Sequence, residues 1–287
     1  VSEELNLSGG ADNIVVDLAY SENNIHFIKR FTLYRSEYKV DVEYLINNGS
    51  ASTASVQLYT QLKQSTIQGE SGGMVMTYRG AAYSTDETRY EKYDFGDIED
   101  NNLRVATVGG WVSMLQHYFV SAWVPNADET NTIYTRFINN SDAIIGVKSP
   151  VKTIEAGNTA TQKATFYVGP KDQSALEAIA DGLDLTVDYG ILFFISQPLF
   201  WLLIKIQSFV VNWGVAIIVI TIIVKGLMYP LTKAQYTSMA KMRKLQPKLT
   251  ALKDRFGNDR QKMTQAMMEL YKKEKVNPAG GCFPILL

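Results

Sequence analysis

One cysteine, Cys282, and two histidines, His26 and His117, are all that 287 residues offer of the soft metal ligands. A single cysteine excludes an internal disulfide framework and a Cys-rich zinc site. Two histidines without metal-like spacing give no His-based centre, so no metal and no cofactor is expected. There is no Gly-rich phosphate loop of recognised spacing and no nucleophile elbow. No helical pattern of about 15 residues interrupts the first two thirds, which argues against a Rossmann-like sheet. A signal-peptide pattern is also missing from the start of the sequence.

What is present is divided unevenly. Hydrophobic residues make up 46 % and charged residues 20 %, with a net charge of −1. That near-zero value averages two unlike parts. Residues 1–200 hold 14 Lys+Arg and 25 Asp+Glu, a net of −11, whereas residues 201–287 hold 14 and 4, a net of +10. A split this sharp implies two environments. The sequence starts at Val1 and stops inside an apolar run, Phe283 to Leu287, which reads as the middle of a longer protein with further spans.

From Asn13 to about Gly169 short runs of Val, Ile, Thr, Tyr and Phe alternate with polar residues, the period of half-buried strands. Turn signals separate them at Asn47-Asn48-Gly49-Ser50, Gly69 to Gly73, Gly96, Asn139-Asn140-Ser141-Asp142 and Gly157-Asn158. This spacing predicts an all-β antiparallel sandwich, followed by a short helix at 173–181. The carboxylates between Asp86 and Asp100 read as a solvated acidic loop in preference to a glycosidase-like pair. His117, in the apolar run Trp111 to Val124, reads as a packed strand residue in preference to a general base.

Composition changes at Tyr189. Residues 209–231 form the cleanest membrane span, since about 20 apolar residues suffice to cross a bilayer. Trp213 and Tyr229, with Trp201 upstream, fit interfacial aromatic anchors. The segment 183–208 is divided by Pro198 and reads as a linker and interfacial helix, with a second span as the alternative. One span separates the acidic domain from the basic tail and leaves Lys and Arg inside the cell, as the positive-inside rule prefers. Lys225 is the one charge within the span. It either snorkels to the nearby membrane surface or faces a water-filled cavity and attracts an acidic group, and spacing alone leaves both open.

Residues 232–277 read as an antiparallel helical hairpin. Met239, Met242, Leu245, Leu249 and Leu252 share one face, and Met263, Met267 and Leu270 another. Pro247 is expected to kink or break the first arm, and Gly257-Asn258-Asp259 to form the turn. Six of the nine methionines fall in 228–268. They form either the hairpin's seam or an adaptable apolar surface. Lys241, Arg243 and Lys244 belong to a basic face suited to ribosomal RNA or anionic headgroups. Residues 278–287 read as the start of another span, with Cys282 an inert small residue at its boundary.

KGLMYPLTKAQYTSMAKM at 225–242, LQPKL at 245–249 and VNPAGGCFP at 276–284 resemble the YidC/Oxa/Alb family of membrane-protein insertases and chaperones. The resemblance continues through LDLTVDYG at 183–190, FISQPLF at 194–200, NWG at 212–214, RGAAYST at 79–85, YEKYDF at 90–95 and GGWVSMLQHYF at 109–119. These blocks cover most of the chain and match the family's Gram-negative type, which has a large periplasmic domain. The resemblance implies that residues 1–182 are part of a β-supersandwich similar to sugar mutarotases, on the periplasmic side with the rest of 1–208. It implies a multi-pass inner-membrane location, with 232–277 in the cytoplasm. It further implies a non-enzymatic insertase and chaperone with a positively charged hydrophilic groove. Its partners would be nascent membrane proteins, the Sec translocon with accessory subunits, the ribosome or a targeting receptor, and phospholipid, but not DNA. Lys225 matches the groove charge, although the family pattern has Arg there; Lys keeps the charge and loses the planar fork. The rival readings are a sugar-binding protein or enzyme, which requires paired groups in a pocket, and a membrane-anchored sensor.

Overall fold

The runs of Val, Ile, Thr and Tyr before residue 171 become strands, and the apolar and basic segments after residue 192 become helices, in a computed structural model describing residues 5–7, 9–67, 78–256 and 259–274. The chain divides into two compact units, Val1–Asp188 and Tyr189–Leu287.

In the first unit the chain order is β1 (Asn13–Glu22), β2 (Ile25–Tyr34), β3 (Lys39–Asn48), β4 (Ala54–Val56), β5 (Tyr59–Ser65), β6 (Gly80–Ser84), β7 (Glu91–Tyr93), α1 (Phe95–Asp100), β8 (Arg104–Val108), β9 (Trp111–Leu115), β10 (Phe119–Pro125), β11 (Thr130–Ile138), β12 (Asp142–Lys148), β13 (Lys152–Ile154), β14 (Thr159–Pro170) and α2 (Gln173–Ile179). The strands pair antiparallel into an eight-stranded sheet, β1-β2-β3-β14-β10-β9-β6-β7, a four-stranded sheet, β5-β12-β11-β8, and the short pair β13-β4. Two asparagines with positive φ, Asn23 and Asn24, make the β1–β2 turn, and Asn139 and Asn140 make the β11–β12 turn. Two consecutive left-handed residues match the right-handed twist of the strands they join.

Two cores hold this unit together. Tyr83, Val112 and Met114 of the large sheet pack against Leu62, Ile133, Ile145 and Val147 of the small one. On the other face Trp111, Leu115, Val120 and Tyr167 pack against Leu176 of α2 and Leu183 of the 3₁₀ turn that follows. Strands β6 and β9 are therefore buried along both faces. The Trp111 indole N–H donates to the Asp181 carbonyl at 3.0 Å, so its burial leaves no polar atom unpaired.

Two local expectations change, and a third is met. His117 is not packed in a strand: Gln116 N–H donates to Phe119 C=O at 3.0 Å, closing a tight turn between β9 and β10 that leaves His117 exposed. The acidic stretch is solvated but is not simply a loop. Asp94 and Asp97 cap α1 reciprocally, with bonds of 2.9 and 3.1 Å, because Ile98 has a core site to fill. The helix expected at 173–181 is α2, whose N-cap Asp172 accepts from Ser174 and Ala175 N–H.

The second unit contains α3 (Phe193–Val210), α4 (Trp213–Phe256) and α5 (Arg260–Lys273). Pro198 does not divide α3, and neither Pro230 nor Pro247 breaks α4. Each proline removes one hydrogen bond, a cost of about 3 kcal/mol. The other turns of these long helices outweigh it. Between α3 and α4, Val211 adopts φ 54°, and its N–H caps α3 on Gln207 C=O at 2.8 Å. Asn212 Oδ1 then accepts from Val215 N–H at 3.2 Å. The expected turn at Gly69 to Gly73, residues Gly257 and Asn258, Cys282 and the segment 278–287 lie outside the described residues.

Candidate functional site

Helix α4 has 44 residues, about 66 Å at 1.5 Å per residue. That is more than twice a hydrocarbon core of about 30 Å. Its composition changes along its length. From Trp213 to Met228 the helix carries one charge, Lys225; from Lys233 onward it carries Lys or Arg on almost every turn. Both α3 and α4 are long and apolar enough to cross a membrane by length and composition.

Lys225 lies about 18 Å along the axis from Trp213 and about 9 Å from Leu231. Its side chain is exposed, and no ion pair reaches it among the described residues. The next position, Gly226, is open as well: a Cβ there would meet nothing within 4 Å. Thr221, one turn before, is satisfied by its own helix, its hydroxyl donating to Ile217 C=O at 2.6 Å. The site is thus a single cation, unpaired among the described residues, on an uncovered face of the apolar half of α4. Trp201, Trp213 and Tyr229 all have exposed rings, and the Lys205 ammonium stands 5.9 Å from the Trp201 ring centroid.

The basic half of α4 pairs with α5. Leu245 is buried, while Met242, Leu249 and Leu252 of α4 and Met263, Met267 and Leu270 of α5 are half-buried. Met239 is exposed. Lys241, Arg243 and Lys244 are exposed too. Lys248 Nζ meets Glu274 Oε1 at 2.6 Å, tying the two arms, and that pairing holds the Glu274 carboxyl below its usual range. Asp259 caps α5 by accepting from Lys262 N–H at 3.1 Å, and this bond lowers its carboxyl likewise. The seam through Asp259 and the Lys248–Glu274 pair were not legible as contacts in the sequence, although an Asp before a helical run is a start signal.

Among the described residues of the β-domain nothing resembles paired catalytic groups. His26 is held by Ser21 Oγ at 2.7 Å on β2, and His117 sits in a distant turn. The carboxylates Asp41 and Glu43 are engaged by Thr165 and Lys163. Among the described residues no group of His, Cys, Asp and Glu is arranged to hold a metal ion.

Residues 1–202 match the family model described as YidC periplasmic domain, and residues 205–287 match that described as 60Kd inner membrane protein. The chain belongs to the YidC family. It is 57 % identical over all 287 residues to the membrane protein insertase YidC of Shewanella loihica, and 57 % identical to that of Shewanella piezotolerans. The alignment covers 100 % of this chain and 53 % of each relative, so the chain spans about half the length of the relatives it matches. Among solved structures, a galactose mutarotase related enzyme from Lactobacillus acidophilus is similar at 9 % identity and a TM-score of 0.39, over 55 % of this chain and 68 % of that one. As a family member the chain is an inner-membrane protein: a mostly-sheet periplasmic domain followed by long helices.

Proposed function

We propose that the parent protein is an insertase and chaperone for inner-membrane proteins, and that Lys225 supplies the charge that holds a substrate's acidic residues during insertion. The observation that carries the reading is the unpaired Lys225 on the open Lys225–Gly226 face of α4. The relatives named membrane protein insertase support the activity. An ammonium at 4 Å from a carboxylate gains about 4 kcal/mol at an effective dielectric constant near 20. That is enough to retain a polar segment transiently and weak enough to release it. Water around Lys225 would shorten the polar segment's path through hydrocarbon. The substrate's apolar span then leaves sideways, driven by burial in lipid. No covalent chemistry, cofactor or nucleotide enters this cycle, and the protein acts without being an enzyme.

In this reading α3 lies at the periplasmic interface, anchored by Trp201, and residues 213–231 cross the membrane between Trp213 and Tyr229. The α4–α5 hairpin lies in the cytoplasm. Its cations Lys241, Arg243 and Lys244 face the ribosome, a targeting receptor or headgroups. Met239 contacts emerging apolar segments, while Met242, Met263 and Met267 serve mainly as seam. Further helices of the parent protein complete the groove, and the Sec translocon is a partner for larger substrates.

The test uses the full-length parent protein in liposomes and a small single-span substrate with an acidic outer tail. Insertion is expected to survive Lys225→Arg and to be lost with Lys225→Ala and Lys225→Glu. Equal insertion by all four proteins would reduce Lys225 to a snorkelling lysine. Failure of the unaltered protein would overturn the insertase reading itself.

A further inference from the structure

The outer face of the small sheet is out of keeping with the domain that carries it. Residues 1–200 have a net charge of −11, yet this face presents Arg104, Arg136 and Lys148 around Tyr134. The register fixes their positions. Tyr134 pairs with Arg104 on β8 and with Gly146 on β12, while Thr132, two residues along β11, pairs with Lys148. Arg136 follows Tyr134 by two residues and so shares its face. Diagonal neighbours on one face stand about 7–8 Å apart. Arg104 and Arg136 are such a pair. Lys148 lies about 12–14 Å from both, from a rise of about 3.4 Å per residue and a strand spacing of about 4.8 Å.

All three cations are exposed, and among the described residues none has a carboxylate partner. The acid on the same face, Asp142, is already engaged by Lys63 at 2.9 Å. Lys148 instead stands 5.0 Å from the Tyr134 ring centroid. The face is also hollow. Gly146 lies beneath Tyr134, where a Cβ would come within 2.7 Å of the phenol oxygen. Segments around Tyr59 and Asn102 form the walls of an 860 Å³ trough. The floor carries a polar pair, the Tyr134 hydroxyl donating to Gln61 Oε1 at 3.3 Å, which leaves the Gln61 amide group free to donate.

We infer that this trough binds an extended polypeptide segment carrying acidic side chains at alternate positions. Three unpaired cations in an otherwise acidic domain select for negative charge. An extended chain, in which residues i and i+2 lie about 7 Å apart and residues i and i+4 about 13 Å, can meet Arg104 and Arg136 together, or Lys148 together with one of the arginines. The hollow decides between a chain and a lipid surface. A bilayer presents headgroups in a plane and reaches a walled trough poorly, whereas a single strand can lie in it. Tyr59, 62 % exposed at the wall, and Gln61 add an apolar contact and an amide donor for the chain itself. The inference stands independently of the role given to Lys225.

The test uses the full-length parent protein in nanodiscs of neutral lipid and a fluorescent peptide of alternating Glu and Ser, about four turns of the alternation longer than the cation triangle. Anisotropy should show saturable binding that weakens at least tenfold in the combined variant Arg104→Gln, Arg136→Gln, Lys148→Gln, and that weakens with added salt. Lys163→Gln, a paired lysine on the large sheet and away from the trough, should leave binding unchanged and controls for folding. Matching Gln/Ser and Lys/Ser peptides should not bind. Equal binding by the combined variant, or no binding by the unaltered protein, would overturn the inference. So would vesicles of phosphatidylglycerol that depend on the three cations while the peptide does not. Insertion assayed on the same preparations separates the two ideas: normal insertion without peptide binding sinks only the trough.

Discussion

Gly110 offers a test of the β-domain in which sterics and backbone strain can be separated. It sits between β8 and β9 at φ +76°. A Cβ there would stand 2.5 Å from the Ser84 carbonyl oxygen and 3.0 Å from Thr107 Cγ2. Ser84 cannot easily yield, because it pairs with Trp111 in the β6–β9 ladder at the edge of a buried core. Gly157 has almost the same backbone, φ +77°, but a Cβ there would meet nothing within 4 Å. Left-handed strain costs an L-residue about 1–2 kcal/mol, and forcing atoms into a packed site about 1–3 kcal/mol more. Gly157→Ala should therefore lose about 1–2 kcal/mol, and Gly110→Ala about 2–5 kcal/mol. Urea unfolding of the full-length parent protein in detergent, read by pulse proteolysis of the β-domain, gives both numbers. Equal losses at the two positions would refute the argument that the Ser84 contact, and not φ, dominates at Gly110.

Pro247→Ala restores the N–H that could bond Arg243 C=O inside α4, and should stabilise the hairpin by up to about 3 kcal/mol; slower tryptic cleavage after Lys244 and Lys248 checks it, and faster cleavage would mean that the proline helps place the second arm. The hairpin should also loosen in acid. The carboxyls of Asp259 and Glu274 are depressed in the folded state, the first by the Lys262 N–H and the second by Lys248. Their contribution is present above the ordinary carboxylate range, near 4, and lost as pH falls through the folded values. Asp259→Asn keeps a capping oxygen, so amide protection in the first turn of α5 should lose its pH dependence at Asp259 while the cap survives. An unchanged acid profile in that variant would assign the effect to Glu274 alone.

The sheet character of the first unit was legible because alternation, β-branched residues and Asn or Gly turns coincide there. Sheet order was not, since β14 inserts between β3 and β10 across more than 100 residues. The Asn23-Asn24 turn carried a signal that the larger Gly-containing turns obscured. Burial on both faces of β6 and β9 depends on α2 and Leu183 covering the far side, which no local pattern announces. Prolines suggested breaks at 198 and 247 that the helices do not show, because a local penalty of about 3 kcal/mol is judged without the length of helix around it. Lys225 stood out as the sole charge in an apolar run, and the structure adds that among the described residues it has no ion-pair partner and that it stands beside an open glycine. The Arg104–Arg136–Lys148 face was invisible in sequence. Its members lie on three strands, and each looks like an ordinary surface cation.

The stretch 225–230 is poorly made for anchoring alone. Lys at a span's centre costs about 2.5–3.5 kcal/mol on insertion scales, Gly226 about 1 kcal/mol of helix propensity, and Pro230 one hydrogen bond. Snorkelling can remove much of the lysine's cost, because Leu231 lies only about 9 Å farther along the helix. It does nothing for the glycine or the proline. Membrane helices tolerate both residues better than soluble helices do, chiefly where neighbouring helices or water re-satisfy the freed backbone groups. That condition and the lysine's need for water are the same condition. A hydrated, partly open face at 225–230 would relieve all three costs at once, whereas a face fully covered by lipid relieves only the lysine's, through snorkelling. The clustering of the three within six residues therefore favours water beside α4 at this depth over three unrelated accidents of composition.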